Sequence, residues 1–584
     1  MLSLLVSATV TLVNGATSVV PAPPPPTPAP STGASLPSVG SVARDYSPAG
    51  WESLWNLVGP VQSPPITTTV DPVLPDVLPS PPPALYPSWF APQPADIFPN
   101  LTLPSGFLFG VSTAAYQVEG AVKEDGKGPT SWDWASRQPG VMVDGSTADI
   151  TDLQYYLYKL DVARMVSLGI NAHSFSISWA RIYPFGAADS PVNQAGLDHY
   201  SNLIDYHLEM GIKPVATLFH WDTPLALVAY YGGFLGPQIV DDFVNYAKTV
   251  FAAYKGRVTT WYTFNEPRVF CAELGIYPFN TSLPIGVNST QAPFICSYYV
   301  VKAHVAAVKA FREMGMPGEI AYKNDDFVGP PWRANSTDDI EAVERHAAFQ
   351  IGVFSDPVYT TGDWPPIMKE TLPPSFLPRF TPEEIAENKG TADFYAIDDY
   401  RDQWLAAPLD GLAACVNNTS HPLWPQCNQL MLYDSNAGWS AGPNPDPDSA
   451  SWLQSTPQNF RYSLQQLQAR WPTNKLYISE YGFDEAYEVD RTELYLITED
   501  VTRTNYYMTY LGEALLSIHN DGIPLMGAFA WSIVDNAEWN YGFNAKFGIQ
   551  YLNHTTLTRT PKRSAYALSQ FFAAHLQKND TVLP

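Results

Sequence analysis

Beyond about residue 100, short apolar runs alternate with longer segments whose apolar residues recur at helical spacing, as in Ile239–Ala247. The short runs are rich in the β-branched and aromatic residues that favour strands, and each is followed by a segment with helical character. Eight such strands are predicted, over residues 107–116, 171–179, 213–220, 259–266, 318–324, 394–400, 475–480 and 525–532.

Eight β–α alternations in one chain place it in the α/β class and predict a single (β/α)8 TIM barrel with long strand-to-helix loops. We assign residues 99–584 to this barrel. Functional side chains in this fold come from the C-terminal ends of the strands, so polar residues at those ends are candidates for chemistry.

The first hundred residues have a different composition. Residues 1–16 contain an apolar run that is too short to span a bilayer, which predicts a secretory signal peptide. Residues 17–98 form a Pro-rich extension that we expect to be extended or largely disordered. Residues 51–58 of this extension have helical apolar spacing and predict a short helix that docks on the main body.

The net charge indicates which partners are disfavoured, and the glycosylation sequons indicate where the protein is located. The net charge of −25, from 57 acidic and 32 basic residues, disfavours nucleic acid and anionic membranes as partners. Together with the N-terminus, eight Asn-x-Ser/Thr sequons predict a secreted, extracellular glycoprotein. The sequons begin at Asn100, Asn280, Asn288, Asn335, Asn417, Asn418, Asn553 and Asn579.

The four cysteines contain no Cys-x-x-Cys pair, which makes a zinc site a weak interpretation. Their spacing suggests two local disulfides, Cys271–Cys296 and Cys415–Cys427. This is one of three possible pairings and stays a hypothesis at this point.

Two predicted strands end in a carboxylate followed by a residue that breaks the strand. Trp261–Pro267 ends in Asn-Glu-Pro, and we place Tyr262 and Phe264 on one strand face. Alone, this tripeptide is more often a surface turn than a site. The same arrangement of strand, carboxylate and strand-breaking residue recurs in Lys475–Gly482, where the carboxylate is Glu480. Two carboxylates at the ends of two similar strands, Glu266 and Glu480, are what glycoside hydrolysis requires.

Other strand ends carry groups suited to a sugar, which presents hydroxyls at its edge and C–H groups on its faces. Such a ligand requires fixed polar groups beside an aromatic platform. The candidates are Gln117, His220, Asn265 and Glu538 for the hydroxyls, and Trp531 and Trp539 for the faces. Each could instead be a satisfied structural residue or a core aromatic.

From about residue 103 to the C-terminus the chain resembles the family-one glycoside hydrolases, the β-glucosidases and their relatives. The ordered set of motifs that carries this resemblance is specific, whereas Asn-Glu-Pro alone is shared with other barrel glycosidases. The motifs are Phe107–Gly120, Phe175–Trp179, Val215–Asp222, the stretch around Glu266, Tyr477–Gly482 and Trp531–Trp539.

The resemblance implies a retaining β-glycosidase that works without metal or cofactor, with Glu480 as nucleophile and Glu266 as acid/base. Tyr400 is implied to hydrogen-bond the nucleophile and Asn265 to read the sugar 2-hydroxyl. Glycone binding is implied for Gln117, His220, Asn265, Glu538 and Trp539, whereas Trp531 stays a candidate on its own residue chemistry. Glu538 and Trp539 stand where phospho-sugar relatives bind a phosphate, so an unphosphorylated glycone is expected.

Four positions depart from the family pattern, and one of them is Tyr156, which stands where the family often has histidine. Ser174 replaces an arginine that helps to hold the nucleophile, so we expect Glu480 to lose both orientation and a cation that favours its charged form. Tyr481 replaces asparagine after the nucleophile, and Asp398 replaces an asparagine of the sixth strand. The excess of carboxylates leads us to expect an acidic pH optimum.

The leading hypothesis is a secreted β-glucosidase that acts on a β-glucoside or oligosaccharide. Transglycosylation, in which a sugar hydroxyl replaces water, is an alternative with the same residues. A catalytically weakened carbohydrate-binding protein is another, motivated by Ser174 and Tyr481. A further hypothesis is that the Pro-rich extension tethers the protein to a cell wall, in which case its removal leaves turnover intact.

Overall fold

A computed structural model of the chain describes residues 36–83, 98 and 100–577. The predicted signal peptide lies outside the described residues, as does the first part of the extension. The central element is a closed barrel of eight parallel strands, which confirms the predicted fold. The strands are Leu108–Thr113, Ala172–Ser176, Lys213–Phe219, Thr260–Asn265, Glu319–Asp325, Tyr395–Asp398, Leu476–Tyr481 and Leu525–Trp531.

Each strand pairs with its neighbours in chain order, and the first strand closes the barrel against the eighth from Leu108↔Gly527 to Ser112↔Trp531. Because side chains alternate along a strand, every second residue points into the barrel. These inward residues form a separate apolar cluster that fills the lower part of the barrel. Its members are Leu108, Ala172, Val215, Tyr262, Ala321, Phe394, Ala396, Tyr477 and Phe529.

Helices surround the strands and bury one face each. Gln238–Tyr254 is typical, since Ile239, Phe243, Val250 and Tyr254 are fully buried at helical spacing. The longer helices are Gln154–Ser167, Gln194–Glu209, Gln238–Tyr254, Ala292–Glu313, Thr337–His346, Pro457–Arg470, Val501–Asp521 and Arg563–His575. Shorter helices are Ala115–Val118, Ser131–Ala135, Trp179–Ile182, Leu225–Tyr231, Pro267–Glu273, Val353–Ser355, Pro366–Thr371, Pro382–Asn388, Leu412–Val416 and Leu494–Ile497. Two-stranded sheets are formed by Trp404–Ala406 with Gln429–Met431 and by Gln550–Asn553 with Thr558–Pro561.

The end of the fourth strand differs from the sequence prediction. Tyr262 packs inside the barrel against Phe394, whereas Phe264 packs outside it, against Phe243 of a surrounding helix. The two side chains therefore do not share a face. A register shift against the fifth strand between Tyr262 and Asn265 is the cause, since such a bulge re-aims the residues that follow it.

The extension also differs from the expectation of a largely disordered segment over residues 36–83. A helix, Pro48–Val58, covers the predicted 51–58 and begins at Ser47, whose hydroxyl accepts a hydrogen bond from the Gly50 N–H. Trp51 and Trp55 each donate their indole N–H to the Lys127 carbonyl oxygen, at 3.0 and 3.1 Å.

Beyond this helix the chain continues along the barrel surface. Lys159 and Arg164 form ion pairs with Asp71 and Asp76, and Tyr566 donates a hydrogen bond to the Pro79 carbonyl oxygen. Proline lacks a donor N–H, but its carbonyl still accepts, so a Pro-rich segment is anchored by side chains of the barrel.

The structure contains both predicted disulfides. Cys271 is bonded to Cys296, with 5.4 Å between their Cα atoms, and Cys415 to Cys427, with 5.7 Å. Cys271–Cys296 joins the short helix after the fourth strand to the long helix that follows, and so fixes the loop beside Glu266.

One helix of the described residues, Ala292–Glu313, is long and apolar enough to cross a membrane by length and hydropathy. Most of its apolar side chains are buried against the barrel and the neighbouring helix Gln238–Tyr254. A buried core helix passes the same test of composition, so this finding is weak evidence for a membrane span.

Candidate active site

Glu266 and Glu480 lie at the carboxyl end of the barrel, and both are buried. Glu266 follows the fourth strand in the left-handed backbone region, at φ 41°, and Pro267 begins a helix directly after it. The Glu266 backbone N–H donates to the Lys323 carbonyl oxygen at 3.1 Å, which ties this turn to the fifth strand. Glu480 is the second-last residue of the seventh strand.

The two carboxylates approach closely. Oxygens of Glu266, Asp398 and Glu480 all lie within 4.8 Å of one another. Retaining glycosidases place their two carboxyl groups roughly 5–5.5 Å apart, whereas inverting ones need about 6.5–9.5 Å to admit a water. The separation between Glu266 and Glu480 therefore suits direct attack on a sugar carbon.

Glu480 has a partner on each oxygen. Tyr400 donates its hydroxyl to Oε2 at 2.9 Å, in the role that the resemblance implied. Lys323 donates its Nζ to Oε1 at 2.8 Å, and both side chains are almost fully buried. The expectation that Glu480 lacks a cation was therefore wrong, because the fifth strand supplies one that the sequence analysis did not consider.

Glu266 has an environment that favours its acid form. Burial raises the pKa of Glu266 well above its usual range, and the nearby carboxyls of Asp398, Asp325 and Glu480 act in the same direction. One carboxyl of the pair is thus stabilised as an acid, while the other is paired with an ammonium. This is the division that general-acid and nucleophilic roles require.

Asp398 adds a third carboxyl, and it accepts a hydrogen bond from the Ser479 hydroxyl at 2.6 Å. Burial, followed by the Glu480 carboxylate, raises the pKa of Asp398 well above its usual range. A protonated Asp398 presents a donor and an acceptor, much like the amide it replaces. Three close carboxylates could also bind a cation, but the ammonium of Lys323 already supplies positive charge here.

Gln117, Trp531 and Glu538 form one edge of the site. The Glu538 Oε2 atom accepts hydrogen bonds from Gln117 Nε2 at 3.0 Å and from Trp531 Nε1 at 3.3 Å. Burial raises the pKa of Glu538 to about 8, although these two donors act against that rise. The Gln117 Oε1 atom is buried without a hydrogen-bond partner and remains free to accept one.

His220 and Asn265 form a second edge. The Asn265 Nδ2 atom lies 3.0 Å from His220 Nε2, and the Asn265 Oδ1 atom is buried without a partner. Burial, and next the charge of Lys323, lower the pKa of His220 well below its usual range, so the imidazole is neutral. Buried polar atoms without partners are uncommon in proteins, and Gln117 Oε1 and Asn265 Oδ1 are two such acceptors on the edges of the proposed site.

Aromatic rings form the third side. Trp539 stacks on His220 with 5.7 Å between ring centroids and on Trp221 with 4.4 Å. Trp531 stacks on His220 at 5.9 Å. Such surfaces suit the C–H faces of a sugar. Trp221 also donates its indole N–H to the Asn265 carbonyl oxygen at 3.0 Å, a contact that strand periodicity gives no means to predict.

Every site residue predicted from the sequence lies in this one cluster of contacts. Tyr481, which departs from the family pattern, faces away from it and packs on Tyr506 and Tyr507 of a surrounding helix. Lys323 is the residue that sequence analysis missed, although a lysine inside a predicted barrel strand was a signal that could have been used, because lysine is rarely buried without a partner.

Comparison with known proteins agrees with this geometry. The family model of glycosyl hydrolase family 1 matches residues 100–577. The chain belongs to this family. Among curated relatives, beta-glucosidase 34 of Oryza sativa subsp. japonica is 35% identical over 486 residues, 81% of this chain and 92% of that protein. Beta-glucosidase 1B of Phanerodontia chrysosporium is 36% identical over 501 residues, 83% of this chain and 88% of its own.

A solved structure is equally similar. The family 1 beta-glucosidase from the fungus Humicola insolens, in complex with glucose, is 36% identical to this chain with a TM-score of 0.75. The match covers 82% of this chain and all of that one. This glycosyl hydrolase family 1 member is therefore a glycosidase of the β-glucosidase type, and the described part of its extension lies outside the residues that the family model matches.

Proposed function

We propose that the protein is a retaining β-glucosidase that releases terminal β-D-glucosyl residues by double displacement. The observation that carries this proposal is the pair of carboxyls, Glu266 and Glu480, with oxygens within 4.8 Å and opposite electrostatic surroundings. The β-glucosidase names of the relatives support glucose as the glycone.

In the first step Glu480 attacks the anomeric carbon while Glu266 donates its proton to the departing glycosidic oxygen. The Glu480 oxygen forms a bond to carbon as the carbon–oxygen bond to the aglycone breaks. Covalent attachment removes the negative charge of Glu480. This lowers the pKa of Glu266, which can then act as a base.

In the second step Glu266 takes a proton from water, whose oxygen attacks the anomeric carbon and displaces Glu480. Two inversions at one carbon give overall retention of configuration. In the binding-protein alternative neither step takes place and the sugar is bound without turnover.

The glycone site is proposed from the groups around the carboxyls. Gln117 Oε1 and Asn265 Oδ1 are buried acceptors without partners, and Glu538 offers a carboxyl between Gln117 and Trp531. The carboxyl of Glu538 and the bulk of Trp539 disfavour a phosphate, so an unphosphorylated sugar is the expected glycone.

Secretion is a proposal that rests on the apolar N-terminus and the sequons. All sequon asparagines among the described residues are exposed or partly exposed, as glycan attachment requires. Two disulfides also favour an oxidising compartment. A tether to a cell wall through the Pro-rich extension is a further proposal, and one part of that extension, residues 36–83, packs on the barrel.

Glu480→Gln and Glu266→Gln test the assignment of roles. With an aryl β-glucoside that has a poor leaving group, each substitution should lower kcat/KM by at least about 100-fold. Azide should restore turnover of the Glu266 variant on an activated substrate, because the anion replaces water without needing a base. A Glu341→Gln variant, changed at an exposed glutamate, is the matched control. Unchanged turnover in either site variant would contradict the proposal.

A further inference from the structure

Lys323 has an unusual position for a lysine. It follows Ala321 of the apolar interior cluster by two residues, so it points into the barrel one layer above that cluster. Its ammonium lies 5.2 Å from the centroid of the Tyr262 ring and 2.8 Å from Glu480 Oε1. Among the described residues it is the cation that pairs with Glu480.

Small side chains leave room for this lysine. Ser112, Ser174 and Thr217 occupy the corresponding inward positions of the first three strands, by alternation from Leu108, Ala172 and Val215. The hydroxyls of Ser174 and Thr217 are buried without hydrogen-bond partners. An arginine at position 174, on the second strand, would point into the same layer of the barrel as Lys323. The layer therefore has room for one long cationic side chain, which can come from the second strand or from the fifth.

The charges around Lys323 are mostly negative. Glu480, Asp398 and Glu266 form the carboxyl cluster at the top of the barrel. Other titratable groups interact with this cluster or with Lys323 from neighbouring elements, and one of them, Arg268, is a second cation. They are Asp325, Arg268, Asp399, Tyr262, Tyr400, Glu538, His173 and His220. A buried carboxylate needs a paired charge, and breaking a buried pair by removing one partner leaves the other uncompensated.

We propose that Lys323 is the positioning residue of the nucleophile. Its ammonium pairs with the Glu480 carboxylate, keeps it charged and holds it in the orientation needed for attack. This cation comes from the fifth strand, whereas the family arginine comes from the second. This inference rests on the proposed function, because it presumes that Glu480 attacks the sugar. Lys323 itself acts through Glu480 and touches no reacting atom.

Covalent trapping separates this inference from the proposed function. A 2-deoxy-2-fluoro-β-glucoside with a good leaving group should label Glu480 of the wild type, as identified by peptide mass spectrometry. Lys323→Met should be labelled roughly 100-fold more slowly, since a small misplacement of a reacting group has an effect of this size. The labelling rate of this variant should also begin to fall at a higher pH than in the wild type as the solution is made more acidic, because the carboxylate has lost the ammonium that pairs with it. This fall on the acidic side is the acid limb of the rate profile.

Companion variants distinguish charge from packing. Lys323→Arg should keep the acid limb of the wild type, whereas Lys323→Gln, which keeps a donor without charge, should show the shift. Lys309→Met, at an exposed lysine, should behave as the wild type. Circular dichroism and glucose affinity check that each variant is folded with an intact glycone site.

Two results would overturn the proposal. Labelling of Glu480 in a folded, neutral Lys323 variant with the rate and acid limb of the wild type would contradict the inference alone. A wild type that labels a residue other than Glu480, or that is not labelled, would contradict the proposed function, and this inference with it.

Discussion

At the scale of single residues, the chemistry depends on how differently the protein treats three neighbouring carboxyls. Glu480 accepts hydrogen bonds from Lys323 and Tyr400, whereas burial favours the acid form of both Glu266 and Asp398. The sequence predicted Glu266, Glu480 and Tyr400 through motifs, but Lys323 is 157 positions from Glu480 along the chain. Strand periodicity contains no information about which inward side chains meet across a barrel.

The raised pKa of Glu266 predicts a dependence of turnover on pH. A raised pKa keeps Glu266 protonated to higher pH than an ordinary glutamate, and activity falls as the pH rises through that pKa. We expect a bell-shaped kcat/KM profile with an acidic optimum. Glu266→Gln should lose the alkaline limb on an activated aryl glucoside, measured by stopped-flow release of the phenol. A wild-type optimum above neutral pH would contradict the expectation.

Glu538→Gln tests the glycone edge. The substitution removes a carboxyl that receives hydrogen bonds from Gln117 and Trp531. Because burial keeps Glu538 in its acid form at neutral and acidic pH, a hydrogen bond between this carboxyl and a sugar hydroxyl joins two neutral groups and contributes about 0.5–1.5 kcal/mol. The kcat/KM for a β-glucoside should therefore fall by roughly 2- to 13-fold.

Kinetics with Glu538→Gln should be compared with those of the exposed control Glu341→Gln. Melting temperatures of the two variants should agree closely, since both changes conserve shape. A Glu538 variant with full activity would show that this carboxyl does not contact the sugar.

At the scale of elements, alternating patterns were enough to locate all eight strands, since buried parallel strands are apolar runs between turns. The alternating patterns did not predict the bulge between Tyr262 and Asn265 in the fourth strand, because a register shift depends on how this strand pairs with the fifth. The helical spacing of residues 51–58 did predict a short helix that docks on the main body, but not which side chains hold it there. Proline content suggested disorder, but Trp51 and Trp55 anchor the segment on the barrel.

Trp55→Ala tests the role of the extension. The ring is 2% exposed, belongs to the main core and donates to the Lys127 carbonyl oxygen. Its removal should lower the free energy of unfolding by about 3–5 kcal/mol, measured by urea denaturation. Turnover by the folded fraction should not change, because Trp55 is not among the site contacts.

Trp439→Ala is the control for this substitution, since that tryptophan is 78% exposed. It should change the free energy of unfolding by less than about 0.5 kcal/mol. Equal effects of the two substitutions would show that the helix Pro48–Val58 contributes little to the folded state.

At the scale of the whole molecule, buried carboxyls link stability to pH. Burial raises the pKa of Glu273 to about 8, of Asp402 to about 8 and of Asp222 to about 7. The folded state therefore binds more protons than the unfolded state between the ordinary carboxyl pKa and these values. Stability is greatest below this window and falls as pH rises through it. The net charge of −25 acts in the same direction through self-repulsion.

We therefore expect a melting temperature several degrees higher at about pH 5 than at about pH 8, measured by calorimetry. Glu273→Gln should flatten part of this dependence, because its side chain cannot ionise, whereas the exposed Glu341→Gln should not. A melting temperature that rises between these two pH values would contradict the assignment of protonated buried carboxyls.

Double displacement by Glu480 and Glu266 determines the configuration of the first product that leaves the site. Proton NMR can follow hydrolysis of an aryl β-glucoside and record the anomer of glucose that appears before mutarotation. The close approach of the two carboxyls predicts β-glucose first, with the signal lost in Glu480→Gln. α-Glucose appearing first would contradict the account, since it would require a water between the carboxyls instead of a covalent bond to Glu480.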